Sequence, residues 1–195
     1  MIYTVSRAVV RSLLLLVFRV RASGGSNEPP EGPVVVCGNH RSLLDPPMIA
    51  CFLKRKVKFM AKAELFNIPV FSSFIRACGA FPVNRGGMSM ETMKTAINVL
   101  KEGNMLVIFP EGTRQKTGKL GEGKKGAASM ALRSGARILP VAIIGPYKPF
   151  RRMRIVYGEP FDAAEAVADL PSSERGDALT AKIMTAIQDL LDRHQ

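Results

Sequence analysis

The imidazole of His40 is the group in this chain best placed by its neighbours to do chemistry. It stands just beyond an apolar run, Val34-Val-Val-Cys-Gly38, and five residues before Asp45, which is followed at once by Pro46, Pro47 and a further apolar stretch. The first run reads as a buried strand ending at Gly38, and the second as a helix with Asp45 as its N-cap and Pro46 in its first turn. A turn between them brings carboxylate and imidazole together. A hydrogen bond from one ring nitrogen to Asp45 fixes the tautomer and leaves the other nitrogen to take a proton from an alcohol. That arrangement is a base with no nucleophile of the protein's own. The other of the two histidines, His194, is the penultimate residue. With no second His or paired Cys near His40, neither a metal nor any other cofactor is expected. On its own, a strand-end His five residues before an Asp is more often structural than catalytic.

A second strand-like run, Leu106-Val-Ile-Phe109, breaks off into Pro110-Glu111-Gly112-Thr113-Arg114. Open α/β folds bind ligands just past strand ends. Gly112 lets backbone N–H groups come close to a ligand, and Arg114 offers a planar fork suited to phosphate oxygens. The same residues also read as a solvated turn. Further on, Gly118 to Lys125 approaches the phosphate-loop pattern of nucleotide-binding proteins, but Lys125 stands where a Ser or Thr belongs and no strand directly precedes Gly118. Nucleotide binding is therefore not expected. Lys116, Lys119, Lys124 and Lys125 are expected to face an anionic partner instead.

The elements that must hold these groups follow from hydrophobic patterning. Strands are predicted at Val34 to Cys37, Val57 to Met60, Ala80 to Val83, Met105 to Phe109, Ile138 to Ile144 and Met153 to Tyr157. Helices are predicted at Pro46 to Leu53, Pro69 to Cys78, Met88 to Leu100, Lys124 to Ser134 and Ala178 to Leu191. Alternation of this kind makes an α/β domain with a mixed or largely parallel sheet flanked by helices, spanning residues 34–195. Residues 22–33, rich in Ser, Gly, Glu and Pro, read as a linker.

Residues 1–21 carry an apolar run from Leu13 to Phe18 between Arg7, Arg11 and Arg19, Arg21. Six residues are too few to cross a bilayer, and the segment reads as an amphipathic helix lying in a membrane interface. A helix packed on the domain is the other reading. The formal net charge of +12 on a chain that is 47% apolar suits an anionic membrane surface. Nucleic acid would also suit the charge, but there is no zinc-finger spacing or RNA-recognition signature, and no Trp. Cys37, Cys51 and Cys78 form no C-x-x-C pair and lie in apolar stretches, so they are expected as free, buried thiols in a reducing compartment.

Asn39-His40-Arg41-Ser42-Leu43-Leu44-Asp45-Pro46 is similar to the N-H-x-x-x-x-D block of the glycerolipid acyltransferases, and Phe109 to Arg114 looks like their F-P-E-G-T-R block. The likeness extends to Lys62-Ala-Glu-Leu65, to Gly79-Ala-Phe-Pro-Val-Asn-Arg85 and to Leu139-Pro140-Val141, in the family's order, over roughly residues 34–160. It implies a glycerolipid-acyltransferase-like single domain that moves a fatty acyl group from the thioester of acyl-ACP or acyl-CoA to a lysophospholipid hydroxyl. Lysophosphatidic acid is the first acceptor to test. Glycerol-3-phosphate and other lyso-lipids, including lyso-amino-acid lipids, are the alternatives.

The likeness further implies His40 as base and Asp45 as its partner, with Lys62, Arg85, Glu111, Gly112, Thr113 and Arg114 binding substrate. Backbone N–H groups around Glu111 and Gly112 would face the oxyanion, and Ser42 has no nucleophilic part. It places the protein at the cytoplasmic face of the cell membrane, monotopic or peripheral, with an acyl carrier or acyl-CoA as partner and no role for nucleic acid. Members of the family often have an Asp before the second-block Arg, where this chain has Asn84, and that departure bears on which lyso-lipid is preferred.

Overall fold

The computed structural model describes residues 2–83, 89–115 and 118–194. In chain order the elements are α1 (Ile2–Phe18), β1 (Val20–Ser23), β2 (Val34–Gly38), α2 (Asp45–Ala50), β3 (Val57–Lys62), α3 (Pro69–Ala77) and β4 (Ala80–Val83). They continue with α4 (Met90–Lys101), β5 (Met105–Ile108), α5 (Gly126–Ser134), β6 (Arg137–Ile144), β7 (Met153–Tyr157), β8 (Phe161–Asp162) and α6 (Ser172–Arg193). The strands form one sheet in the order β1-β7-β6-β2-β5-β3-β4, with β8 paired to the start of β6. From β6 to β4 all neighbours are parallel, while β7 runs antiparallel to β6 and β1 lies parallel to β7. The sheet is thus mixed, with a parallel centre.

Both faces of that centre are covered, which is why its strands read as unbroken apolar runs. Along β2, Val34 and Val36 join one core with Leu14 of α1 and Met48 and Ile49 of α2. Val35 and Cys37 join the other, with Ile97 of α4, Met130 of α5 and Leu179, Ile183 and Ile187 of α6. Burial pushes the Cys37 thiol far up and the Cys51 thiol up to about 11, and all three cysteines are free.

One sequence expectation needs correction. The sheet begins well before residue 34, because Val20–Ser23, expected as helix end and linker, is the edge strand β1. Nor does the rest of residues 22–33 hang free. Asn27 Nδ2 donates to the Tyr157 carbonyl at 3.1 Å, and Glu28 accepts from the backbone N–H of Lys54 and Arg55 at 2.6 Å each. Arg55 in turn donates to the carbonyls of Pro29, Gly32 and Gly103. Composition misled because this segment is held by polar contacts, which hydropathy does not register. Gly24 shows how tightly: at φ 73, a Cβ there would lie 2.0 Å from the Tyr157 carbonyl oxygen. On α3, Phe71 and Phe74 are exposed.

Helix α1 packs on the domain and also presents a second apolar side. Leu14 is buried, Val10 and Phe18 pack against the same core, and Arg7 donates to the carbonyls of Leu53 and Lys54. Val5, Val9, Leu13 and Leu16 are exposed. Among the described residues no helix is long and apolar enough to cross a membrane.

Candidate active site

Parallel strands deliver the residues beyond their ends to one edge of the sheet. His40 comes after β2, the Phe109–Arg114 turn after β5, Lys62 at the end of β3 and Tyr147 after β6. The stretches carrying His40, Glu111 and Tyr147 meet where β2, the strand between β5 and β6, runs out, while Lys62 lies on the far side of β5.

Asn39 sets the exit. Its buried side chain donates to the Ile143 carbonyl at 3.0 Å and accepts from the Ile143 N–H at 2.7 Å. The side chain thereby prolongs the β2–β6 ladder by one step while the backbone turns away. His40 comes next with its ring stacked on Phe109, centroids 4.1 Å apart and planes 15° from parallel. Nδ1 lies 2.8 Å from Asp45 Oδ2, with the imidazole side chain 18% exposed and Asp45 fully buried. Asp45 Oδ2 also accepts from the N–H of Arg41 and Ser42 at 2.6 Å each. Asp45 is therefore not the N-cap expected of it. The cap position is Leu44, with Asp45, Pro46 and Pro47 inside the first turn. The prolines have no N–H to cap, and the carboxylate reaches back to the loop before the helix. Ser42 Oγ accepts from the Leu44 N–H at 3.2 Å, a turn contact.

The Phe109–Arg114 turn is bound to the same loop. Glu111, 3% exposed, accepts the His40 backbone N–H on Oε1 at 2.6 Å and the Gly121 N–H on Oε2 at 2.8 Å. Both of its oxygens thus hold the protein's own backbone. Gly112 has φ 70, and its N–H donates to the Phe109 carbonyl at 2.9 Å. That N–H closes the turn. The chain then runs through Thr113 and Arg114, both exposed, to Gln115, whose N–H donates to the His40 carbonyl at 2.8 Å.

The family model described as Acyltransferase matches residues 19–144, a span from β1 to the end of β6. The chain belongs to the acyltransferase family. It is 33% identical over 177 residues to the 1-acyl-sn-glycerol-3-phosphate acyltransferase of Bacillus subtilis, covering 88% of this chain and 87% of that protein. It is also 33% identical over 177 residues to the enzyme of the same name from Streptococcus pneumoniae, covering 85% of this chain and 64% of that one. The crystal structure of the 1-acyl-sn-glycerophosphate (LPA) acyltransferase PlsC from Thermotoga maritima matches the whole chain and 78% of its own, with a TM-score of 0.74 and 27% identity.

Around the acyltransferase edge the other expected residues fall into two groups. Lys62 is exposed at the end of β3, in register with Val83 at the end of β4. Arg85, two residues beyond β4, lies outside the described residues, as does Lys116. Lys125, expected to face an anionic partner, is paired with Asp177 of α6 at 2.7 Å. Lys124 is exposed, with its side chain running beside Gly112. Among the described residues no cluster of His, Cys, Asp or Glu has the makings of a metal site.

Sequence reasoning passed over Tyr147. Its hydroxyl donates to Asp45 Oδ1 across 102 positions of sequence. Burial pushes the Tyr147 hydroxyl far above the usual phenol value, and the Asp45 charge pushes it further. It therefore stays protonated and remains a donor. The available signal was its place, three residues past the end of a strand of the same parallel set.

Proposed function

We propose that the protein transfers a fatty acyl group from acyl-ACP or acyl-CoA to the sn-2 hydroxyl of 1-acyl-glycerol-3-phosphate, giving phosphatidic acid. The observation that carries this reading is the 2.8 Å contact of His40 Nδ1 with Asp45 at the strand edge. It leaves Nε2 as the nitrogen that takes the proton of the acceptor hydroxyl. The freed oxygen attacks the thioester carbonyl, the tetrahedral intermediate collapses by breaking the C–S bond, and the departing thiolate receives the proton from His40. Stacking on Phe109 and the Asp45 hydrogen bond hold the ring for both transfers. No acyl-enzyme forms, because the acceptor hydroxyl is itself the nucleophile. Lys62, Arg85, Glu111, Gly112, Thr113 and Arg114 bind the acceptor, the cations taking its phosphate.

The reaction takes place at the cytoplasmic face of the cell membrane, with the protein monotopic or peripheral. Supporting this are the exposed apolar residues Val5, Val9, Leu13 and Leu16 on α1, Val70, Phe71 and Phe74 on α3, and Ile68 just before it. Exposed cations accompany them: Arg11, Arg19 and Arg21 near α1, and Lys148, Arg151 and Arg152 before β7. Each such cation contributes about 1 kcal/mol at an anionic surface. The test is acyl transfer in anionic vesicles doped with lysophosphatidic acid, against a panel of other acceptors and both donors. Product phosphatidic acid with wild type and none with His40→Ala is expected; turnover by His40→Ala would sink the mechanism.

A further inference from the structure

Asp45 carries more hydrogen bonds than holding an imidazole requires, and they come from two sides. Oδ2 accepts three, all from residues 40–42 of its own loop. Oδ1 accepts from Tyr147, which belongs to the connection between β6 and β7. Three donors on one oxygen leave the carboxylate free to pivot about that oxygen, and a donor on the other fixes its plane. A buried carboxylate oxygen stripped of its donor is costly, so the fourth bond sets orientation and energy together.

The connection that carries Tyr147 is itself gripped at both ends. Arg41 Nη1 donates to the Gly145 carbonyl at 3.0 Å, tying it to the residue beside His40. On the other flank Phe18, the last residue of α1, meets the Tyr147 ring edge-on, with centroids 5.8 Å apart and planes at 80°. The Phe150 N–H donates to the Val17 carbonyl at 2.6 Å. Two non-glycine residues with positive φ, Arg19 at 45° and Phe150 at 61°, sit at this same junction. Such conformations persist only where surrounding contacts over-determine them. The end of α1 is thus locked to the connection, and the connection to Asp45.

We propose that Tyr147 is a positioning residue for acyl transfer: its hydroxyl sets the plane of the Asp45 carboxylate that holds His40, and the C-terminal end of α1 holds Tyr147 in place. The assignment rests on the reading of His40 and Asp45 as the catalytic pair. Tyr147 acts on the reaction through Asp45 alone. It therefore governs kcat and leaves acceptor binding untouched.

The test uses the full chain with lysophosphatidic acid in anionic vesicles and acyl-CoA, comparing Tyr147→Phe, Phe18→Leu, Asp45→Asn, the Asp45→Asn/Tyr147→Phe double variant and His40→Ala. Tyr147→Phe removes one oxygen atom and is expected to lower kcat about tenfold with KM for the lyso-lipid unchanged. Phe18→Leu keeps the apolar volume but loses the ring edge, and is expected to lower kcat about threefold. In the Asp45→Asn background Tyr147→Phe should cost nothing more. A Tyr147→Phe enzyme with wild-type kcat overturns the proposal, as does an equal loss in both backgrounds or a loss confined to KM. Turnover by His40→Ala would instead bring down the underlying catalytic reading, so the two failures are told apart.

Discussion

Two strands end beside His40, and each is followed by a buried acid that binds it, but they hold different parts of the residue. Asp45, after β2, takes the ring at Nδ1; Glu111, after β5, takes the backbone N–H. Asp45 adds two loop N–H donors and Tyr147, while Glu111 adds the N–H of Gly121, ten residues further on. On the proposed mechanism, one carboxylate governs where a proton goes, while the other holds the loop in place. The chemistry of an acid follows from the atom it meets.

Substitutions can break that contrast, beginning with the group both acids serve. His40→Ala is expected to lower turnover at least on the order of 10³-fold, with binding to vesicles unchanged, read by product formation and flotation. Asp45→Asn retains an oxygen for the loop N–H groups but forfeits the charge behind the ring, and a fall in kcat on the order of 10²-fold is expected. Glu111→Gln turns one acceptor into a donor facing a backbone N–H. It should cost about 2 kcal/mol in urea unfolding and reduce kcat far less than Asp45→Asn does. If Glu111→Gln were catalytically crippled yet fully stable, the division between the acids would be wrong.

Arg114→Ala tests the outer rim, where an exposed cation contributes to binding alone. A rise in KM for lysophosphatidic acid of about tenfold at constant kcat is expected from initial-rate kinetics. Ser42→Ala should change least, with turnover kept and a stability loss under about 1 kcal/mol.

Much of the site was legible in sequence because parallel strands convert order into position. Once Val34 to Gly38 and Met105 to Phe109 are read as neighbouring strands, the residues after them must share an edge, and His40, Asp45 and the Phe109–Arg114 turn do. The family blocks added roles that spacing alone left open. What stayed hidden was contact at long range: no pattern around Tyr147 points 102 positions back to Asp45. The part played by Glu111 was hidden for a related reason, since backbone N–H groups carry no residue identity. Helix α6 begins at Ser172, six residues before the stretch read as helical. Its first residues are polar and face outward, so hydrophobic periodicity could not find them.

The strand Val20–Ser23 has a bearing on what a shortened chain would expose. It closes one margin of the sheet by pairing with Met153–Val156, and the pleated row beneath it belongs to a strand whose Met153 and Ile155 are completely enclosed. A chain shortened to begin at Val34 would bare that row of amides and carbonyls along its full length, an open template on which another copy could be laid. The amino-terminal stretch thus covers a row of backbone groups that the shorter chain would expose.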